Sequence, residues 1–291
     1  MFVKEIIKRS LNFNFPVKIG NKIFIIPIRK GTGIRNLKLG NDWFLYLLKR
    51  ITISKDSYFI DVGVNVGQTI LKFRSYYDNP YLGFELNSNC VRYTRQLIKI
   101  NNIKDISIFP VGLSNDDEIV IMYSNNDIDN CCTDSTIVQD LRPNRYSDND
   151  KSYAPVYKFD HLKLIKPENN VSLIKIDVEG AELEVIEGMI ETIRKFQPII
   201  TCEVLDYDSP LSAAVLQERA NKLYDFMQRL NYEVYAIRHE DSDLSFERLS
   251  KIKLNIWTPA SLDKNDYLFV PSHSENIDLD IHHTKEDTII A

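Results

Sequence analysis

Asp177, Glu179 and Glu182 fall within six residues of one another in Ile174-Lys175-Ile176-Asp177-Val178-Glu179-Gly180-Ala181-Glu182. Like charges that close resist joint ionisation unless a proton, a cation or hydrogen-bond donors lie among them. Two uses follow: a general base for a substrate hydroxyl, or ligation of a hard divalent ion by Asp177, Glu179 and Glu203. A structural use competes with both, because Glu179 and Glu182 also suit the first turn of a helix through its dipole. Asp177, at the end of an apolar run, is less easily explained that way. Asp177 and Glu179 are the first candidates for catalysis, and Glu203 and Glu182 the second.

A second constellation lies upstream, in Phe59-Ile60-Asp61-Val62-Gly63-Val64-Asn65-Val66-Gly67-Gln68-Thr69. A short apolar strand ending in Asp61 runs into a turn with glycines at 63 and 67, then into a helix whose free N–H groups face the turn. A dinucleotide fingerprint would carry a glycine where Asn65 stands, so that backbone could approach a pyrophosphate. Asp61 would repel a pyrophosphate but suits a ligand bearing an ammonium or sulfonium group, and S-adenosylmethionine carries both. Past Gly67, Tyr81-Leu82-Gly83-Phe84 ends in Glu85, placed to accept bonds from ribose hydroxyls. A tight strand-to-helix turn with no ligand is the plainer alternative, and Glu85 at that spacing counts against it.

These carboxylates require strands to carry them to one edge. From residue 57 strands and helices alternate: the strand to Asp61, 81–84, a helix at 90–101, a strand at 106–111, then a strand at 171–177, a helix at 181–193, a strand at 198–204, a long helix at 213–230, and strands at 232–237 and 267–270. Such order implies a parallel, doubly wound sheet with ligands beyond the carboxyl ends of its strands. Asp61, Glu85, Asp177 and Glu203 each end a strand and are expected to converge on one crevice. Residues 1–56 read as a strand and helix extension packed on this core. After an extra strand at 119–123, residues 124–153 are rich in Asn, Asp and Ser; they read as a mobile insertion facing the substrate, or as a plain surface insertion. Residues 272–291 read as a polar tail, with His282 and His283 as solvated residues in it. His161 precedes a strand start, the wrong end of the sheet for a base, and suits a structural role.

Composition narrows the partners. With 36 basic and 41 acidic residues, a net charge of −5 and no basic cluster, nucleic acid is not an expected partner. Cys90, Cys131, Cys132 and Cys202 form no C-x-x-C pair and suit reduced thiols in the cytoplasm. The first residues lack a signal-peptide core, and no apolar run nears the roughly 20 residues of a membrane span.

The segments 60–67, Phe84-Glu85-Leu86-Asn87 and 173–188 resemble, in order and spacing, the FkbM family of S-adenosylmethionine-dependent methyltransferases, and the likeness extends over residues 23–271. It implies a class I methyltransferase fold, a Rossmann-like, doubly wound and mostly parallel seven-stranded sheet, and O-methylation, often of a sugar hydroxyl in a glycan or natural product. By position it implies that Asp61, Gly63, Asn65 and Gly67, with Gln68 and Thr69, hold the methionine portion of the cofactor. Glu85 would hold the ribose with Leu86 and Asn87 beside it, Gly112, Leu113 and Ser114 would lie by adenine, and Asp177 and Glu179 would face the methyl or its acceptor. Val64 stands where the family has alanine, and Asn87-Ser88 where it has asparagine-proline. A nucleotide-dependent oxidoreductase, a cofactor-binding module without turnover and a methyltransferase of non-sugar small molecules are the rival readings. Oligomeric state is left open.

Overall fold

The structure is a computed structural model that describes residues 12–40, 42–123, 135–138, 151–240, 243–258, 261 and 264–279. Cys131, Cys132, His282, His283 and most of 124–153 lie outside the described residues.

Thirteen strands are described: β1 (Asn12–Ile19), β2 (Lys22–Arg29), β3 (Tyr58–Val62), β4 (Tyr81–Phe84), β5 (Ile106–Phe109), β6 (Gly112–Leu113), β7 (Glu118–Tyr123), β8 (Lys151–Tyr157), β9 (Val171–Ile176), β10 (Ile199–Glu203), β11 (Tyr232–Glu240), β12 (Asp243–Arg248) and β13 (Asp266–Pro271). The helices are α1 (Trp43–Arg50), α2 (Gln68–Arg74), α3 (Ser88–Ile100), α4 (Phe159–Leu162), α5 (Glu182–Glu187), α6 (Ile190–Phe196) and α7 (Pro210–Arg229).

The main sheet has the order β12-β11-β13-β10-β9-β3-β4-β5. From β5 to β10 every pairing is parallel, while β13 runs antiparallel between β10 and β11. The expected seven-stranded, mostly parallel sheet is therefore corrected to a mixed sheet of eight. The added strand is β12, an antiparallel partner of β11; its Leu244 and Phe246 alternate inward while Asp243, Glu247 and Arg248 stay outside. A second, three-stranded sheet, β6-β8-β7, takes the strand read at 119–123 out of the main sheet.

Chain reversal by βαβ units leaves helices on both faces. One face carries α5, α6 and α7 over Ile60, Ile174, Ile176 and Ile200. Ser209 caps α7 by accepting from the Leu211 N–H, Pro210 begins it, and Leu216, Ala220, Leu223 and Met227 recur on its buried side. The other face packs α1 and α2 against Phe59, Leu173 and Leu268. There the β1–β2 hairpin lays Phe24, Ile26 and Ile28 on Leu71, Tyr93 and Leu97 of α2 and α3. At the amino edge, Arg74 at the end of α2 donates to the carbonyls of Tyr77, Asn79, Lys104 and Asp105. Of the segment read as a tail, residues 276–278 return to α1, where Thr52 N–H donates to Asn276 and Asp278 N–H to Arg50. Among the described residues no helix is long and apolar enough to cross a membrane.

Candidate active site

Beyond β3 the chain reverses through Gly63, Asn65 and Gly67, all left-handed at φ 94°, 50° and 77°. Gly63 is required by a close approach: a Cβ there would stand 1.8 Å from the Asp177 carbonyl oxygen. The ends of β3 and β9 thus close backbone against backbone, with Asp177 N–H donating to the Val62 carbonyl at 2.9 Å. Asn65, which is not glycine, needs holding in its conformation. Its N–H donates to Glu85 Oε2 at 2.7 Å, its carbonyl accepts from Thr94 Oγ1 at 2.9 Å, and Asn36 Nδ2 donates to the next carbonyl, that of Val66, at 2.8 Å. The other Glu85 oxygen accepts from Asn87 N–H at 2.7 Å. Val64 is buried, and Gly83 makes room for it: a Cβ at 83 would meet Val64 Cγ2 at 2.6 Å.

A cleft opens beside this turn. Gly63, Asn65, Glu85 and Leu86 form one wall, Gly112, Leu113 and Met122 another, and Asp177, Val178, Glu179 and Ala181 the end under β9; Ser135 and Ile137 also border it. Of the expected cofactor residues, Gly63, Asn65, Glu85, Leu86, Gly112, Leu113 and Asp177 meet here. Gly67, Gln68, Thr69, Asn87 and Ser114 stand behind the lining, Thr69 and Ser114 being buried. Asp61 is fully buried behind the turn, where its carboxyl accepts from the Tyr81 hydroxyl. Burial raises its pKa to about 7 against the opposing pull of Lys175 and Tyr81.

Alternation along the strands places Asp61, Lys175, Thr201 and Glu203 on the face that carries α1 and α2, and Asp177 joins them. Lys175 Nζ donates to Asp177 Oδ2 at 2.7 Å. Oxygens of Asp177, Glu179 and Glu203 lie within 4.8 Å of one another. Burial raises the Asp177 pKa, but the Lys175 ammonium and a hydrogen bond from Glu203 more than offset it, leaving it below the usual carboxylate range. Glu203 goes the other way, pushed well up by burial and by the neighbouring Asp177 and Asp266. Burial lowers Lys175, yet Asp177 and Asp61 hold it above its ordinary value. The surroundings thus favour the ionised form of Asp177 and the protonated form of Glu203.

Glu182 stands apart from this cluster. It is buried, its Oε1 accepts from Gly180 N–H at 2.7 Å, and it borders a separate hollow shared with Arg219 and Leu216. Burial lifts its pKa to about 7. The turn it serves is strained, with Glu179 at φ 55° and Gly180 at 108°. Arg219 binds Glu184 through both nitrogens, at 2.8 and 2.5 Å, and reaches the Gly180 carbonyl at 2.9 Å. Thr136 Oγ1 donates to the Glu179 carbonyl at 2.6 Å. His161 pairs with Asp117 at 2.8 Å on an exposed surface. Sequence reasoning missed Lys175, Asp266, Asn36, Thr94 and Thr136. Lys175 left a signal, a charge inside an apolar strand two residues before Asp177 and so on its face.

A family model described as the methyltransferase FkbM domain matches residues 61–234. Among solved structures, methyltransferase FkbM from Methylobacillus flagellatus KT is similar at 14% identity and a TM-score of 0.45, covering 75% of this chain and 44% of that one. The chain thus spans less than half the length of that protein. Precorrin-6y C5,15-methyltransferase from Geobacter metallireducens GS-15 is similar at 10% identity and TM-score 0.39, over 82% of this chain and 92% of that one. Aeropyrum pernix fibrillarin, solved with natively bound S-adenosyl-L-methionine, is similar at 11% identity and TM-score 0.39, over 78% and 76%. No curated protein matches the chain.

Proposed function

The chain belongs to the methyltransferase FkbM family, and from that premise we propose that it moves the methyl group of S-adenosylmethionine to a hydroxyl of a sugar, in a glycan or glycosylated natural product. The reading includes action in the cytoplasm and no nucleic-acid partner. The observation that carries it is one cleft bounded on one side by a glycine turn and Glu85, and at its end by Asp177 and Glu179.

The residues present fit that cofactor. Glu85 accepts from the backbone N–H groups of Asn65 and Asn87, and from that of Leu86 beside it, and its remaining lone pair faces a cleft where a ribose hydroxyl can be taken. Leu86, Leu113 and Ile137 offer apolar contact to a base, and the carboxylates suit an ammonium and a sulfonium. When bound, the sulfonium supplies an electrophilic methyl carbon.

The chain must then align an acceptor oxygen and take its proton. A sugar hydroxyl is almost fully protonated near neutrality, so a base must receive that proton as the carbon–oxygen bond forms. Asp177 does this, because Lys175 keeps it ionised. Glu203, protonated beside it, shares the incoming charge through its hydrogen bond, and Glu179 closes the cluster from the cleft side.

A second reading, a divalent ion held by Asp177, Glu179 and Glu203, is supported by their 4.8 Å spacing. Lys175 already supplies Asp177 with a cation at 2.7 Å, which favours the base. The deciding experiment is incubation with methyl-labelled S-adenosylmethionine and a panel of glycans, lipids and small phenols, with and without chelator. Label transfer to a glycan, indifferent to chelator, is expected. Loss with chelator and recovery with Mg²⁺ or Mn²⁺ selects the ion, and transfer to phenols alone removes the sugar. S-adenosylhomocysteine is expected to raise the melting temperature while NAD does not; the reverse would restore the oxidoreductase.

A further inference from the structure

We propose that Thr136 is a positioning residue for methyl transfer: its hydroxyl fixes the Glu179 carbonyl, and so holds Glu179 in the left-handed conformation that brings its carboxylate to Asp177 and Glu203. The proposal rests on the reading of those three carboxylates as the transfer site.

Glu179 is a residue with a side chain in a region that L-residues avoid, at φ 55°. Such a conformation persists only where neighbouring groups determine it. On the helix side they are Glu182, which accepts from Gly180 N–H, and Arg219, which donates to the Gly180 carbonyl. Arg219 fixes the peptide after Gly180, and Glu182 holds the nitrogen end of the peptide that joins Glu179 to Gly180. The carbonyl of Glu179 itself accepts from Thr136 Oγ1 at 2.6 Å.

Thr136 is built to hold that position. It is 1% exposed, and its backbone exchanges two hydrogen bonds with Tyr123 at the end of β7, at 2.8 and 2.9 Å. Its hydroxyl oxygen also accepts from Val138 N–H at 3.0 Å. With that acceptor role filled by its own loop, the single hydroxyl proton is directed to Glu179. Ser135 and Ile137, on either side, border the cleft. The residue that fixes Glu179 therefore belongs to the wall against which a cleft ligand would lie, and the contents of the cleft bear on the carboxylate through Thr136.

Thr136→Val keeps the shape and removes the donor; Thr136→Ser keeps the donor; Thr136→Ala, made in parallel, covers the case in which the valine variant does not fold. Each would be crystallised with S-adenosylhomocysteine, titrated with it by calorimetry, and assayed on the acceptor found with the labelled panel. In the valine or alanine variant Glu179 is expected to leave the left-handed region and its carboxylate to part from Asp177. Turnover is expected to fall about tenfold to a hundredfold, the usual effect of a small misplacement, with S-adenosylhomocysteine affinity within about twofold. Thr136→Ser is expected to behave as the parent, and Thr136→Val to add no further loss to Glu179→Gln. An unmoved Glu179 in the crystals overturns the proposal, and so does a loss that multiplies with that of Glu179→Gln. Full turnover in Glu179→Gln alone would instead remove Glu179 from the transfer site, a failure of the underlying reading.

Discussion

Asn65 after β3 and Glu179 after β9 both stand in the left-handed region, at φ 50° and 55°, each beside glycines that share it, and their turns meet where Gly63 lies against the Asp177 carbonyl. Their supports differ. Asn65 is held by Glu85 and Thr94, from the adjoining strand and helix, whereas Glu179 is held by Thr136 from beyond β7, and Gly180 by Arg219 from α7. The carboxylates differ in the same way. Glu85 is satisfied by backbone N–H groups, which are fixed donors, and Asp177 by an ammonium and a second carboxyl, which exchange protons. One turn is thus suited to hold a constant ligand and the other to handle a proton for a variable one.

The severest way to break both turns at once is Gly63→Ala, since a methyl 1.8 Å from a carbonyl oxygen has no space at φ 94°. We expect a loss above about 4 kcal/mol by urea unfolding, the size reserved for gross steric conflict. Gly40→Ala is the control, with nothing within 4 Å of the added carbon and an expected change within about 0.5 kcal/mol. If the two variants unfold alike, the close approach of β3 and β9 is mistaken.

Asp177→Asn separates chemistry from binding. The fold and S-adenosylhomocysteine affinity should survive while turnover falls about 10²–10⁴-fold, the usual contribution of a general base. Full turnover in this variant would pass the role to Glu203. Glu85→Ala tests the opposite turn: calorimetry should show S-adenosylhomocysteine binding weakened by about 1.5–3 kcal/mol, and unchanged affinity would remove Glu85 from the cofactor site.

The mildest test concerns Asp61, raised to about 7 by burial where Asp177 is held down. A carboxyl whose folded pKa exceeds its unfolded value of 3.8 stabilises most below the latter and loses that stabilisation as pH rises through about 7. Glu182 acts in the same sense. Melting temperature should therefore fall between about pH 4 and about pH 7, and Asp61→Asn, which retains an acceptor for Tyr81, should flatten the fall. Equal slopes in parent and variant would mean that Asp61 is ionised in the folded protein.

What could be read before the structure were the features that depend on periodicity and spacing. β3, β4, β5, β7, β9 and β10, the glycine turn, Glu85 and the cluster at Asp177 and Glu179 left local patterns, whereas β8 begins inside the segment read as an insertion. β1 did not, since Pro16 interrupts Asn12–Ile19, a break tolerated because the strand lies at an edge. Asp61 was legible as a strand-end carboxylate, but its spacing did not reveal that Tyr81, on the next strand, would take it out of the cleft's reach. Glu182 followed Asp177 too closely for sequence to tell a cluster member from a helix-start acid. Thr136 and Arg219 carried no signal at all, because what they do depends on a fold that brings them to residues 179 and 180 from 43 and 39 positions away.

Arg74 gives the molecule a fixed end. Its guanidinium gathers carbonyls from two separate loops, Tyr77 and Asn79 on one side and Lys104 and Asp105 on the other, so that one side chain joins the two. A lysine, with a compact point charge in place of a planar fork, could not span them. The amino edge is thereby made to open as a unit, and its amides should exchange with solvent deuterium slowly and together. The carboxyl edge is tied at separate points, Glu85 at the first turn and Thr136 and Arg219 at the second, and is left to exchange in parts.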